Sequence, residues 1–145
     1  MFATTHDYEE FIREFEGLTL AKARWTHHAH LAVALWYLAR HPFAEALGIV
    51  RKRIRGHNEA VGTANTDSEG YHETLTRLFL RGVAAEMARH RGEALPEVLA
   101  AVIGSPLGER AWPLRFYTRE RLFSVEARRG WVEPDLMALE DAVHV

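Results

Sequence analysis

Cysteine is absent from this 145-residue chain, which excludes disulfides, thiolate metal centres and cysteine nucleophiles. No apolar stretch is long enough for a bilayer. The longest, Leu31 to Ala39, falls far short of the roughly 20 residues a spanning helix needs, so no membrane partner is expected. Met1-Phe2-Ala3-Thr4-Thr5-His6-Asp7 shows no basic segment followed by an apolar one, and a cytoplasmic location is therefore expected. Basic charge is not in excess either: 18 Lys and Arg face 20 Asp and Glu, for a net charge of -2. Such a balance gives no overall field to attract nucleic acid, and the cluster Arg51-Lys52-Arg53-x-Arg55 reads as a solvated helix face. Gly104 to Gly108 holds Pro106 and lacks the lysine of a phosphate loop. Ser68, Ser105 and Ser124 are the only serines, and each is explained as a cap, so no serine triad is legible.

Histidine, by contrast, is abundant, with nine copies. Three of them fall within Trp25-Thr26-His27-His28-Ala29-His30-Leu31, just before a strongly apolar helical run. Residues three apart share a helix face, so His27 and His30 are expected to project together. Leu31, Ala34, Leu35 and Leu38 continue that side. Imidazoles aimed at a core require a metal or good hydrogen-bond partners.

Apolar periodicity is helical almost throughout. Thr5 caps a first helix ending at Glu16, and Leu18 to Trp25 connects it to a second helix, capped by Thr26 and running to Arg40. A third runs from Phe43 to about Ala60. After the turn-rich loop Val61 to Asp67, Ser68 is expected to cap a fourth helix reaching about His90. Pro96 opens a fifth, through Ile103. Pro113 starts a sixth, through about Phe123, and Ser124 caps a short turn stopped by Gly130. Glu133-Pro134-Asp135 opens a last short helix ending near Ala142. The expectation is a single all-α domain over residues 1–145: a bundle of four to five main helices with short C-terminal helices.

On this arrangement His72 lies in the first turn of the fourth helix. If that helix neighbours the second, His27, His30 and His72 converge. The helix dipole at an N-terminus disfavours protonated imidazole and keeps the rings neutral, as ligation requires. Three protein ligands with open positions suit a catalytic mononuclear metal site, and imidazole donors alone do not choose among Zn, Fe(II), Ni and Cu. Glu69 is a candidate fourth ligand. The Glu-x-x-His spacing of Glu69 and His72 occurs in di-iron bundles, but such sites need a second copy and carboxylates from two further helices, and the only comparable pair, Asp141 with His144, sits at the very C-terminus. The sequence His-Glu-x-x-His is missing too, because Thr76 stands where its second histidine belongs. His28 faces away from His27 and His30. His57, on the core side of the third helix, competes with Asn58 for an inward position.

Trp25-Thr26-His27-x-x-His30-Leu31, the segment Asn58 to Thr63 with Asn65-Thr66-Asp67, and Gly70-Tyr71-His72-Glu73-Thr74-x-Thr76 together resemble a family of small bacterial all-α proteins with no assigned activity. The resemblance extends to Leu122-Phe123-Ser124-x-x-Ala127-Arg128 and Glu133-Pro134-Asp135-Leu136. It implies no reaction, but it favours treating His27, His30 and His72 as one unit.

The sequence thus leads to a metal-binding protein, with a metal-dependent enzyme, hydrolase or oxygenase, acting on a small polar molecule as its catalytic form. Glu69, Tyr71 and Glu73 are the candidates for moving protons. Tyr117 and Arg121, four apart on one helix face, are the candidate substrate contacts, with Arg121 suited to a carboxylate. The rival expectation is a non-enzymatic helical interaction module or homodimer, with structural histidines and an interface of large apolar residues such as Trp36 and Tyr37.

Overall fold

The computed structural model describes residues 1–139. Seven α-helices and three short 3-10 turns make up its regular structure, and no strand occurs among the described residues. The helices are α1 (Thr5–Glu16), α2 (His27–Leu38), α3 (Phe43–Ala60), α4 (Glu73–Arg89), α5 (Leu95–Gly104), α6 (Arg119–Leu122) and α7 (Val125–Arg129). The all-α bundle with five main helices is as expected. The expected end of the last short helix, near Ala142, lies outside the described residues.

α2 is the central element. Nine of its twelve residues are buried, as a helix that is apolar on all sides must be. It packs against α3, α4 and α5. The buried faces of α1 (Tyr8, Phe11, Ile12, Phe15), α3 (Ala46, Val50, Ile54), α4 (Leu78, Leu80, Val83) and α5 (Val98, Leu99, Val102) join it in one connected core. The Tyr8 hydroxyl donates to the carbonyl of Ala32, tying α1 to α2.

Local chemistry sets the helix starts. Thr4, one residue earlier than expected, caps α1 by accepting from Asp7 N–H, and Thr26 caps α2 by accepting from Ala29 N–H at 3.2 Å. The start of α4 is a correction. Ser68 does not cap it, because the Thr66 hydroxyl takes the amides of both Ser68 and Glu69 in a local turn. Gly70 then turns the chain at φ +79°, where a Cβ would stand 2.2 Å from the carbonyl oxygen of Ala64. Only glycine fits such a position. α4 therefore begins at Glu73 with His72 as its cap.

The expected sixth helix is also corrected. A 3-10 turn over Trp112–Arg115 is followed by a break, and α6 is a fresh start capped by Thr118. Asp135 enforces the break, accepting from the Thr118 amide at 2.8 Å and its hydroxyl at 2.7 Å. The segment after Trp131 is extended and bent rather than a helix opening at Glu133.

One close approach positions the later site. A Cβ on Gly82 of α4 would stand 2.4 Å from a methyl carbon of Leu107 and 3.0 Å from the Trp112 ring. Glycine at this position lets the side chain of Leu107, from the turn Pro106–Gly108, rest directly on the α4 backbone.

Candidate functional site

A cavity of about 660 Å³ opens where the N-terminal halves of α2 and α4 meet the C-terminal half of α3 and the segment from Arg110 to Phe123. Its walls are largely apolar: Leu31 and Ala34 from α2, Val50 and Ile54 from α3, Leu75, Phe79 and Leu80 from α4, and Leu114 and Leu122 beyond. His27, His30 and His72 all line it, with Trp25, Asn58, Thr63, Tyr71, Thr76, Arg110 and Arg119. No aspartate or glutamate does so among the described residues. Apolar walls with a few convergent polar groups are the usual make-up of a small-molecule site.

The packing of α2 against α4 and their shared cavity satisfy the adjacency on which the histidine argument depended. The three rings are held differently, however. His27 Nε2 stands 2.8 Å from the carbonyl oxygen of Leu107, and His30 Nδ1 stands 2.8 Å from that of Thr26. A carbonyl only accepts, so the proton lies on those nitrogens. This leaves His27 Nδ1 and His30 Nε2 as bare lone pairs. In His72 both nitrogens are engaged: Nε2 donates to Leu122 O at 2.7 Å and Nδ1 accepts from Leu75 N–H at 3.1 Å. Among the described residues no three histidine, aspartate or glutamate side chains stand close enough together to hold a metal ion.

All three rings are held neutral. Burial pushes each below the usual imidazole range, with His30 brought down to about 4. The hydrogen bonds to carbonyls oppose the shift without cancelling it. The nearby charge of Arg110 lowers His27 and His30 further.

The carboxylates and the tyrosine behave unlike one another. Tyr71 lines the cavity with its ring, but its hydroxyl donates to Glu73 at 2.7 Å. Glu73 is buried and does not line the cavity; Arg51 holds it through two nitrogens at 2.8 Å and 2.6 Å. Burial raises the Glu73 carboxyl, but the bonds from Arg51 and Tyr71 and the charges of Arg51 and Arg77 outweigh it and keep the group below the carboxylate range. This trio pins α3 to the first turn of α4. Glu69 is exposed in the preceding loop, away from the cavity lining.

Tyr117 and Arg121 fall outside the lining as well. The Tyr117 hydroxyl donates to Val132 O at 2.7 Å, and Arg121 Nε donates to Glu133 O. With the sixth helix broken at Phe116–Thr118, they no longer share one helix face. His28 is exposed and reaches Gly108 O at 3.2 Å. Both contenders on α3 are buried, Asn58 at the cavity wall and His57 behind it.

His57 is fully buried, and neither ring nitrogen has a hydrogen-bond partner among the described residues. Trp25 packs between two imidazoles, its ring centre 3.8 Å from that of His30 and 4.7 Å from that of His57. Asn58 is held through Asn65, whose side-chain oxygen accepts from Asn58 at 3.1 Å and from the Tyr71 amide at 3.0 Å.

Sequence reasoning missed Arg110 and Arg119 as cavity residues. Arg110 follows a turn and belongs to no periodic pattern, so nothing in its neighbours singled it out. Arg119 was read as part of an unbroken helix. Comparison with protein-family models, with curated proteins and with solved structures gives no match for this chain.

Proposed function

We propose that this chain binds a small molecule in the cavity between α2, α3 and α4, and that the neutral imidazoles of His27 and His30 are its principal polar contacts. One observation carries the reading: three neutral imidazoles share a largely apolar cavity of about 660 Å³, and two of them keep a bare ring nitrogen. Shifted titratable groups gathered in a cleft are a recognised mark of function. In an enzymatic form, His30 Nε2 would accept a proton from the bound molecule as general base. The test is histidine-ring NMR during a small-fragment screen. Fragments should move the His27, His30 and His72 signals and leave exposed His6 in place. Binders that leave the cavity histidines unmoved, or a screen without any binder, would overturn the reading.

A specific observation also favours the metal reading. His27 and His30 each donate one ring N–H to a backbone carbonyl and keep the other nitrogen unprotonated, which is how metal-bound histidines are commonly oriented. His72 would join them as third ligand only by giving up its bonds to Leu122 and Leu75. Zn, Fe(II), Ni and Cu are the candidates, with a bound substrate or water completing the shell. Metal content by mass spectrometry on untagged protein tests this beside His27→Ala, His30→Ala and His72→Ala, each checked for folding. Near-stoichiometric metal lost in folded variants supports it. Wild type that fails to take up any of the four ions refutes it.

The interaction-module alternative loses the surface first named for it. Trp36 and Tyr37 are buried within the chain, so a homodimer would need another face.

A further inference from the structure

The cavity's charge is one-sided. Its lining has two arginines, Arg110 and Arg119, and no carboxylate among the described residues. Both arginines are exposed at the cavity mouth, and neither forms an ion pair among the described residues. Arg110 is near enough to depress both His27 and His30. The first turn of α2 carries no acidic residue, and the one acid in the first turn of α4, Glu73, is already held by Arg51 and Tyr71. The positive end of α2 therefore borders this space without an acid of its own, and the only acid at that of α4 is turned to Arg51 and Tyr71. A cation would meet Arg110 and Arg119 with no acid to oppose them. A neutral ligand would leave both guanidiniums unused.

We infer that the ligand is a small organic monoanion, a carboxylate on an apolar body. Its charged end sits at the Arg110 side of the mouth and its body lies among Leu31, Ile54, Leu75 and Phe79. This rests on the small-molecule reading above and names the ligand class for that site. A guanidinium presents paired donors that match a carboxylate. The apolar interior favours a single charge kept at the entrance over a charge carried inside.

The test uses three probes with one skeleton: 4-phenylbutanoate, 4-phenylbutanamide and 4-phenylbutylamine. Binding to the full chain is followed by titration calorimetry and by histidine-ring NMR. The carboxylate should bind about tenfold or more tighter than the amide and move the cavity histidine signals, while the amine should not bind. Arg110→Gln should abolish the preference for the acid without weakening the amide, and Arg110→Lys should restore part of it. Equal binding of acid and amide overturns the inference while the small-molecule reading stands. So does a preference that survives both Arg110→Gln and Arg119→Gln. If all three probes fail while neutral fragments move the cavity histidines, the anion assignment falls alone. If no fragment moves them, the cavity reading falls and takes this inference with it.

Discussion

His72 caps the helix that begins beside it: its Nδ1 accepts the N–H of Leu75 at 3.1 Å. The ring is fixed from its other side by Leu122 O, so one imidazole satisfies a helix end and fastens α6 to α4. His72→Ala should destabilise the fold by about 1–2 kcal/mol through loss of the cap, and by more where Leu122 O is left unpaired. His72→Asn, which can still accept from the amide, should recover part of the loss. Urea unfolding of the three proteins checks this. An alanine variant as stable as wild type would mean the cap contributes nothing.

Stability should depend on pH with a defined sign. His30 titrates near 6.5 when unfolded and at about 4 when folded. Between those values the unfolded chain binds more protons, so stability rises with pH there. The contribution is complete above the unfolded value and is lost as pH falls through the folded one. His27, His57 and His72 are lowered too and act in the same direction. Urea midpoints of wild type and His30→Gln, followed from about pH 7.5 to about pH 4.5, should diverge at neutral pH and converge on acidification. Parallel curves would show that His30 titrates alike in both states.

His57 should be better replaced than kept, as far as stability goes. Its two buried nitrogens find no partner among the described residues and so lose water without gaining a bond there, which costs on the order of 1–3 kcal/mol. Phe15 and Trp25 already pack against the ring, at 5.6 Å and 4.7 Å between centres. His57→Phe or His57→Leu should raise unfolding stability by about 1 kcal/mol, read from thermal or urea midpoints. Strong destabilisation in both variants would reveal a partner for the imidazole.

Gly70→Ala should be severe for so small a change. It combines a positive φ with a contact that a Cβ cannot make, and a loss of at least about 2 kcal/mol is expected. Because Tyr71 and His72 follow directly, their NMR signals should move in the variant even under conditions where it remains folded. Unchanged stability would show that the loop can adopt a second conformation.

The helical class, the start of α2 and the bounds of α3 were legible because caps and apolar periodicity agreed there: Thr26 before His27, Pro42 before Phe43; α2 stops at Leu38, two residues short of the expected Arg40. The His27/His30 face followed from spacing alone. The start of α4 was not legible, since Ser68 is as good a cap in sequence as His72. What decides between them is Thr66 capturing two amides and Gly70 reversing the chain. The break after Phe116 was hidden for a different reason. It depends on Asp135, 17 residues beyond the Thr118 that it holds, and local pattern cannot register such a contact. The three imidazoles, expected to converge as a ligand set, line one cavity without forming such a set among the described residues; their hydrogen bonds to Leu107, Thr26 and Leu122 use backbone oxygens, which a sequence does not distinguish.

The absence of a side chain at Gly82 reaches further than its own helix. Leu107 rests on that bare backbone, and the carbonyl of Leu107 holds the His27 ring. A methyl group added at Gly82 would force the Leu107 side chain to shift, although Gly82 touches no part of the His27 ring. Packing on the α4 backbone and the anchor of that imidazole thus meet in one residue, which belongs to the turn and not to the cavity wall.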